Sequence, residues 1–345
     1  MCYDVGRVLG MQWRPEFDPR VVHRELEIIK TDLHCNAVRV CGRDIGRLMT
    51  TAEDALSQEL EVWFQPDLWD RSPRVTLAYV TKAATAAQAL HERWPGRVVF
   101  SVGTELTLFM RGIISGRTFH RRLAHPSFHE NVIAGTHNKP LNVFLTQASE
   151  SVRRVFGGPI TYAALIWEAV DWDLFDIISV DHYREERTKV RYLDRLQPLL
   201  TIGKPVVVTE FGMRAYQGAE SSGTLGVGII DYRSLGLHQL PVIGRFVRPR
   251  LNGPYVRDEA LQAREIADTL ASLQASGVDG AFVCTFVEPL SPYDPDPRHD
   301  LDMSALSLVK TCGNGRGDTY PDMSWEPKQS FRAVADFYAG TPGQR

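Results

Sequence analysis

Two stretches carry a glutamate directly after an apolar, strand-like run. They are Val98-Val99-Phe100-Ser101-Val102-Gly103-Thr104-Glu105 and Val206-Val207-Val208-Thr209-Glu210-Phe211-Gly212. Three consecutive valines suit a strand buried on both faces, as in a parallel sheet covered by helices. A carboxylate where such a strand ends is placed for chemistry, and Gly212 is expected to let the chain turn away tightly. Two carboxylates sharing a cavity can divide acid/base work: one holds a proton to give, the other is ionised to attack or to activate water. Cleavage of a glycosidic bond uses such a pair, with a separation of roughly 5–5.5 Å giving retention and roughly 6.5–9.5 Å giving inversion. The simpler alternative for both residues is structural ion pairing.

Polar residues also fall at the ends of other strand-like runs: Asp4, Arg39, Asp67, Glu168, Asp181, His182 and Tyr183. If all these ends meet at one mouth, the carboxylates cannot all ionise cheaply, because like charges raise one another's pKa. Some must pair with Arg39 or stay protonated, which is what an acid/base pair requires. Trp167-Glu168 offers a stacking edge and a hydrogen-bonding carboxylate, or else a packed tryptophan and a helix N-terminal acid. His182 reads more readily as a satisfied core histidine. The acidic stretch Asp294 to Asp302 lacks the glycine and ligand order of a calcium loop, and His120, His125 and His129 lack zinc spacing, so no metal and no cofactor is expected.

The elements that would position these residues can be read in order. Strand-like runs end near residues 4, 41, 67, 105, 165, 180, 211 and 286. Between them lie stretches of helical spacing: Val22, Leu26, Ile29 and Leu33 after the N-cap Asp18-Pro19; Leu48, Ala52, Ala55 and Leu56; Leu77, Val80, Ala84, Ala87 and Leu90; Leu141, Phe144, Leu145 and Ala148; a helix around 185–200; Leu261, Ile266, Leu270 and Leu273; and Phe331, Val334 and Tyr338. Eight strands, most of them followed by a helix, fit a single closed (β/α)8 TIM barrel over 1–345, α/β in class, with long loops after strands 4, 7 and 8. The first of these (110–130) and an irregular insertion at 213–255 are expected to wall the mouth. No G-x-G-x-x-G follows the first strand, so a dinucleotide domain is not indicated.

The 345 residues are 43 % hydrophobic and 23 % charged, an ordinary globular composition. A net charge of -3 gives no basic field for nucleic acid. No apolar run is long enough to cross a membrane. Five cysteines without a C-x-x-C pair, and no signal-peptide pattern, point to a cytoplasmic protein with free thiols.

These residues resemble a known pattern. Val102-Gly103-Thr104-Glu105 and Val208-Thr209-Glu210-Phe211-Gly212 look like the two catalytic strands of glycoside hydrolase clan A. Asn36-Ala37-Val38-Arg39 resembles the clan's second strand with its active-site arginine, and His182-Tyr183 its sixth-strand tyrosine. Trp325-Glu326-Pro327-Lys328 resembles the usual exit from the barrel. The resemblance implies Glu105 as acid/base, Glu210 as nucleophile, Arg39 as its charge partner and Tyr183 as hydrogen-bond donor to it. Two positions depart: Thr104 stands where the clan has Asn, and Thr285-Phe286 where it offers a tryptophan platform. A nearer resemblance is to a bacterial group labelled abortive infection proteins, through Tyr3-Asp4-x-Gly6, Leu33-His34-Cys35, Glu105-Leu106-x-Leu108-Phe109, Trp167-Glu168-x-Val170-Asp171-Trp172 and Asp296-Pro297-Arg298-His299-Asp300-Leu301-Asp302.

The resulting expectation is a glycosidase-like hydrolase or transferase, retaining, with Glu105 and Glu210 catalytic. Asp4, Arg39, Asp67, Trp167, Glu168, His182, Tyr183 and Phe286 are its candidate contacts to a small-molecule or carbohydrate substrate. Two alternatives stay open: a barrel recruited to a non-sugar acid/base reaction, or a catalytically silent binding protein in phage defence.

Overall fold

Each of the eight β-branched or aromatic runs forms a strand: β1 Cys2–Asp4, β2 Ala37–Gly42, β3 Glu61–Pro66, β4 Val98–Thr104, β5 Ile160–Leu165, β6 Ile178–Asp181, β7 Val206–Phe211 and β8 Gly280–Val283. The computed structural model describes residues 1–8, 11–12, 14–187, 189–240, 242–313 and 315–340, so the last five residues of the expected 1–345 unit lie outside the described residues. The strands form one sheet in sequence order, every neighbouring pair parallel. The seam between β8 and β1 is drawn together where the Phe286 N–H and the Thr285 hydroxyl both donate to the Cys2 carbonyl, at 3.1 and 2.9 Å. The result is the expected (β/α)8 barrel, nearly closed.

Alternate side chains point to opposite faces of a strand, so the sheet feeds two cores. Inside the barrel, Cys2, Trp63, Val99, Val207 and Phe282 pack together, with Ala37, Ile177 and Cys284 against them. This layer plugs the lumen, as barrel interiors require, and leaves the polar residues toward the C-terminal ends above it. Outside, a larger core joins the strands to the helices α1 Pro19–Thr31, α2 Ile45–Ser57, α3 Pro73–Arg93, α4 Asn138–Arg153, α5 Glu259–Ser276 and α6 Gln329–Ala339. Asp18, Asp44 and Asp258 cap their helices by accepting backbone N–H groups of the first turn, which satisfies donors the helix itself cannot.

Three local expectations are corrected. The helix around 185–200 is broken into the turns Lys189–Arg191 and Leu193–Arg195 and a four-residue helix, Gln197–Leu200. Pro198 sits in the first turn of that last piece, and before it the buried apolar side chains are confined to the short run Tyr192 to Leu196, with Val190 exposed. The 213–255 insertion is not wholly irregular, since it holds the helix Tyr232–His238, and within the long loop after β8 the strand β9 Val309–Thr311 pairs antiparallel with β10 Trp325–Pro327. Gly212 is needed for space rather than for a turn, since a Cβ there would stand 2.4 Å from the Cys284 carbonyl oxygen.

Both long loops that were expected to wall the mouth follow C-terminal strand ends and pack on loops of that same end. In the first, the buried Arg122 donates to Asp70 at 2.6 Å, to the Leu108 carbonyl and to the Gly116 carbonyl. In the 213–255 insertion, Arg214 donates to the Ser304 carbonyl and the Leu251 N–H to the Arg298 carbonyl. Among the described residues no helix is long and apolar enough to cross a membrane.

Candidate active site

The mouth is organised by Arg39 on β2. Its side chain is 2 % exposed and reaches across the lumen to β7, where one terminal nitrogen donates to Glu210 at 2.6 Å. The same nitrogen touches the Thr209 carbonyl and the Cys2 sulfur, while the other donates to Gln65 and Thr104. The second oxygen of Glu210 accepts from the Tyr183 hydroxyl at 2.9 Å. Charge-assisted bonds of this kind fix a carboxylate's orientation as well as its charge.

Glu105 follows β4 and has left-handed backbone torsions, φ 44° and ψ 42°. A non-glycine residue pays roughly 1–2 kcal/mol for that conformation, so its surroundings must hold it there. They do so through the next turn. The Glu105 N–H donates to the Ala163 carbonyl, the Leu106 N–H to the Tyr162 hydroxyl at 2.8 Å and the Thr107 N–H to Glu168 at 3.2 Å. The other oxygen of Glu168 accepts from the Tyr162 hydroxyl and the Leu165 N–H, both at 2.9 Å. Glu168, expected as a substrate contact, therefore has both oxygens occupied, one by the turn that carries Glu105 and the other by β5.

Carboxyl oxygens of Glu105, Asp181 and Glu210 come within 4.8 Å of one another. The two strand-end glutamates, 105 positions apart in sequence, thus share one cavity. Burial pushes Glu105 well above the usual carboxylate range, and the charges of Asp181, Glu210 and Glu168 push the same way. Among the described residues no donor bonds to its carboxyl. Asp181 is held up at about 8 by burial and by Glu210, against Arg39 and two threonine hydroxyls. Asp4 rises to about 7 through burial, Asp67 and Glu210, and Asp67 rises to about 6 through burial. Five carboxyl groups thus face one guanidinium. Three of them supply donors of the kind a divalent cation takes, but the guanidinium already on Glu210 would repel such an ion at close range.

Two expected contacts, Phe286 and His182, lie elsewhere. Phe286 is fully buried, edge-on to Trp325 at 5.3 Å and against Tyr3, so it belongs to the outer core and offers no face to the mouth. His182 is buried, stacked on Tyr192 at 4.1 Å with its Nε2 bonded to the Tyr192 carbonyl. Burial lowers its pKa to about 4, which suits a neutral core histidine. Trp167 is half-buried and packs edge-on against His137 at 5.0 Å. The residues that sequence reasoning left out are Thr209, Gln65 and Tyr162, and Thr104 entered it only as a departure from the clan's Asn. One signal was available: each glutamate is preceded by a threonine.

No family model matches the chain, and no curated protein does. The likeness to the abortive infection group therefore has no support. Solved structures do match. A GH113 β-1,4-mannanase aligns over 93 % of both chains at 13 % identity, with a TM-score of 0.58. A GH113 β-mannanase from Alicyclobacillus acidocaldarius aligns over 98 % of this chain and 96 % of its own, at 13 % identity and a TM-score of 0.57. A β-glucuronidase from Faecalibacterium prausnitzii aligns over 99 % of this chain but 48 % of its own, at 13 % identity and a TM-score of 0.53. At such identity the shared property is the barrel fold.

Proposed function

We propose that this protein hydrolyses or transfers glycosidic bonds with retention, using Glu210 as nucleophile and Glu105 as acid/base. One observation carries the reading: carboxyl oxygens of Glu105 and Glu210 within 4.8 Å at the C-terminal mouth of the barrel, in unlike environments. Glu210 is gripped by a guanidinium and a phenol hydroxyl, while Glu105 is unbonded and pushed toward its protonated form. The short separation favours the retaining arrangement over the wider inverting one. In the first step Glu210 would attack the anomeric carbon as the bond to the leaving oxygen breaks and Glu105 gives that oxygen its proton. In the second, water would attack the same carbon, lose a proton to Glu105 and free Glu210. The carbohydrate-cleaving enzymes among the structural neighbours add support for a sugar substrate.

Thr104 favours a second reading, a non-sugar acid/base reaction. Its hydroxyl is engaged by Arg39 and Asp181, so the place where the clan's Asn would meet a sugar is taken up by protein contacts. A panel of 4-nitrophenyl glycosides separates the two. Under the first reading at least one is turned over, and E105Q or E210Q lowers its turnover by about 10³-fold or more with the melting temperature nearly unchanged. Full activity in either variant removes the assignment.

A further inference from the structure

We propose that Asp181 is the positioning residue that sets the spacing of Glu105 and Glu210, by clamping the threonine that precedes each of them. The inference rests on the two-glutamate reading above. Asp181 ends β6 and is 3 % exposed. One of its oxygens accepts from the Thr104 hydroxyl at 3.0 Å, the other from the Thr209 hydroxyl at 2.7 Å. Thr104 and Thr209 are themselves buried. β6 is hydrogen-bonded to β7, but β5 lies between it and β4. The Asp181 side chain therefore joins two strand ends that no backbone ladder connects. Because each threonine is one residue from its glutamate, the clamp acts on the Cα positions of Glu105 and Glu210 directly.

The backbone around the clamp gives it a fixed base. Asp181 pairs in register with Glu210 across an irregularity in the β6–β7 ladder, and the His182 N–H donates to the Glu210 carbonyl at 2.9 Å. On the other side, Arg39 donates to Thr104 and to Glu210, so the threonine and the nucleophile candidate share one cation. A side chain with two oxygens and short reach suits this role. A longer acid would push β4 and β7 apart, and an amide would present a donor to one of the two hydroxyls.

Asp181 has a second, electrostatic effect on the same residue. It lies within 4.8 Å of Glu105, and two carboxylates that close cannot both ionise cheaply at neutral pH. Asp181 is itself held up at about 8, but two threonine hydroxyls and Arg39 oppose that rise, while among the described residues no donor bonds the Glu105 carboxyl, so of the two Asp181 is the first to give up its proton. The two groups titrate as a unit, with proton losses that belong to the pair. Removing the Asp181 charge should therefore lower the pH at which Glu105 gives up its proton.

Asp181→Asn removes the charge with little change of volume, and Thr209→Val removes one arm of the clamp without touching a carboxyl. With a 4-nitrophenyl glycoside that the wild type turns over, both variants should lose at least about tenfold in kcat with KM within about threefold, the pattern of a misplaced catalytic group. In D181N the basic limb of the kcat/KM profile should also move down by about one pH unit. Thr209→Ser, which keeps the hydroxyl, should restore kcat. A D181N enzyme with wild-type kcat and pH profile, while E105Q and E210Q are inactive, would overturn the clamp and leave the two-glutamate reading standing. If E105Q and E210Q instead stay active, that reading fails, and the clamp is judged by 13C-carboxyl NMR. The Glu105 titration moves to lower pH in D181N if the inference holds and stays in place if it does not. Should D181N fail to fold, the contrast between T209V and T209S decides.

Discussion

Glu105 holds a proton in the folded protein that a solvated glutamate would release, and this makes stability depend on pH in an unusual direction. Its pKa is raised on folding, so its contribution to stability is fully present below the unfolded value of 4.5 and is lost as pH rises through the folded value. Over the window in which the folded group keeps its proton and the unfolded one does not, one such group contributes a fall of about 1.4 kcal/mol per pH unit. Asp4, Asp67, Glu168 and Asp181, all raised into the range of about 6 to about 8, push the same way, while His182, lowered to about 4, opposes them below its unfolded value of 6.5. Urea unfolding followed by tryptophan fluorescence at pH 5.5, 6.5 and 7.5 reads the sum. The wild type should lose stability across this range, and Glu105→Gln, which cannot titrate, should lose it less steeply by as much as about 1.4 kcal/mol per unit. Parallel slopes for the two proteins would mean that Glu105 is already ionised when folded, and the assignment of its proton would be wrong.

Other perturbations should have distinct signatures. Tyr183→Phe removes the hydroxyl that bonds Glu210 at 2.9 Å, a charge-assisted bond of roughly 1.5–3 kcal/mol, so kcat/KM for an aryl glycoside should fall roughly ten- to hundredfold; an unchanged value would remove Tyr183 from the site. Phe286→Ala should cost about 3–5 kcal/mol in urea unfolding while KM stays the same, because the ring packs on Trp325 and Tyr3; a raised KM at full stability would restore it as a substrate platform. Among 4-nitrophenyl glycosides, uronides should react at least about a hundredfold more slowly than the best neutral sugar, since five carboxyls surround an arginine already bonded to Glu210; comparable rates would contradict this view of the mouth's charge.

Much of the barrel could be read from the sequence because its strands are buried on both faces and so appear as unbroken apolar runs, as in Val206-Val207-Val208. The strand-end rule then located Glu105, Glu210, Arg39 and Tyr183, whose side chains do meet. The rule fails where a residue's direction matters more than its place along the strand. His182 follows Asp181 by one position and so faces the opposite side, toward Tyr192. Phe286 lies beyond the end of β8 and turns into the outer core. Glu168 was found as a strand-end acid, but its role in supporting the left-handed turn at Glu105 depends on Tyr162 and the Thr107 N–H, which meet it only in three dimensions. The helix around 185–200 failed for a different reason: apolar side chains that reach the core begin only at Tyr192, while Val190 before it is exposed, so the charged first half has no packing to hold a helix.

The most direct test of the two-glutamate account is covalent trapping. The protein is incubated with an activated 2-deoxy-2-fluoro glycoside of the sugar found in the aryl glycoside panel, digested, and its peptides are read by mass spectrometry. The account predicts one glycosyl ester, on Glu210, forming in the wild type and absent from E210Q. Turnover of the parent glycoside with no adduct, or with the label on another residue, would contradict it.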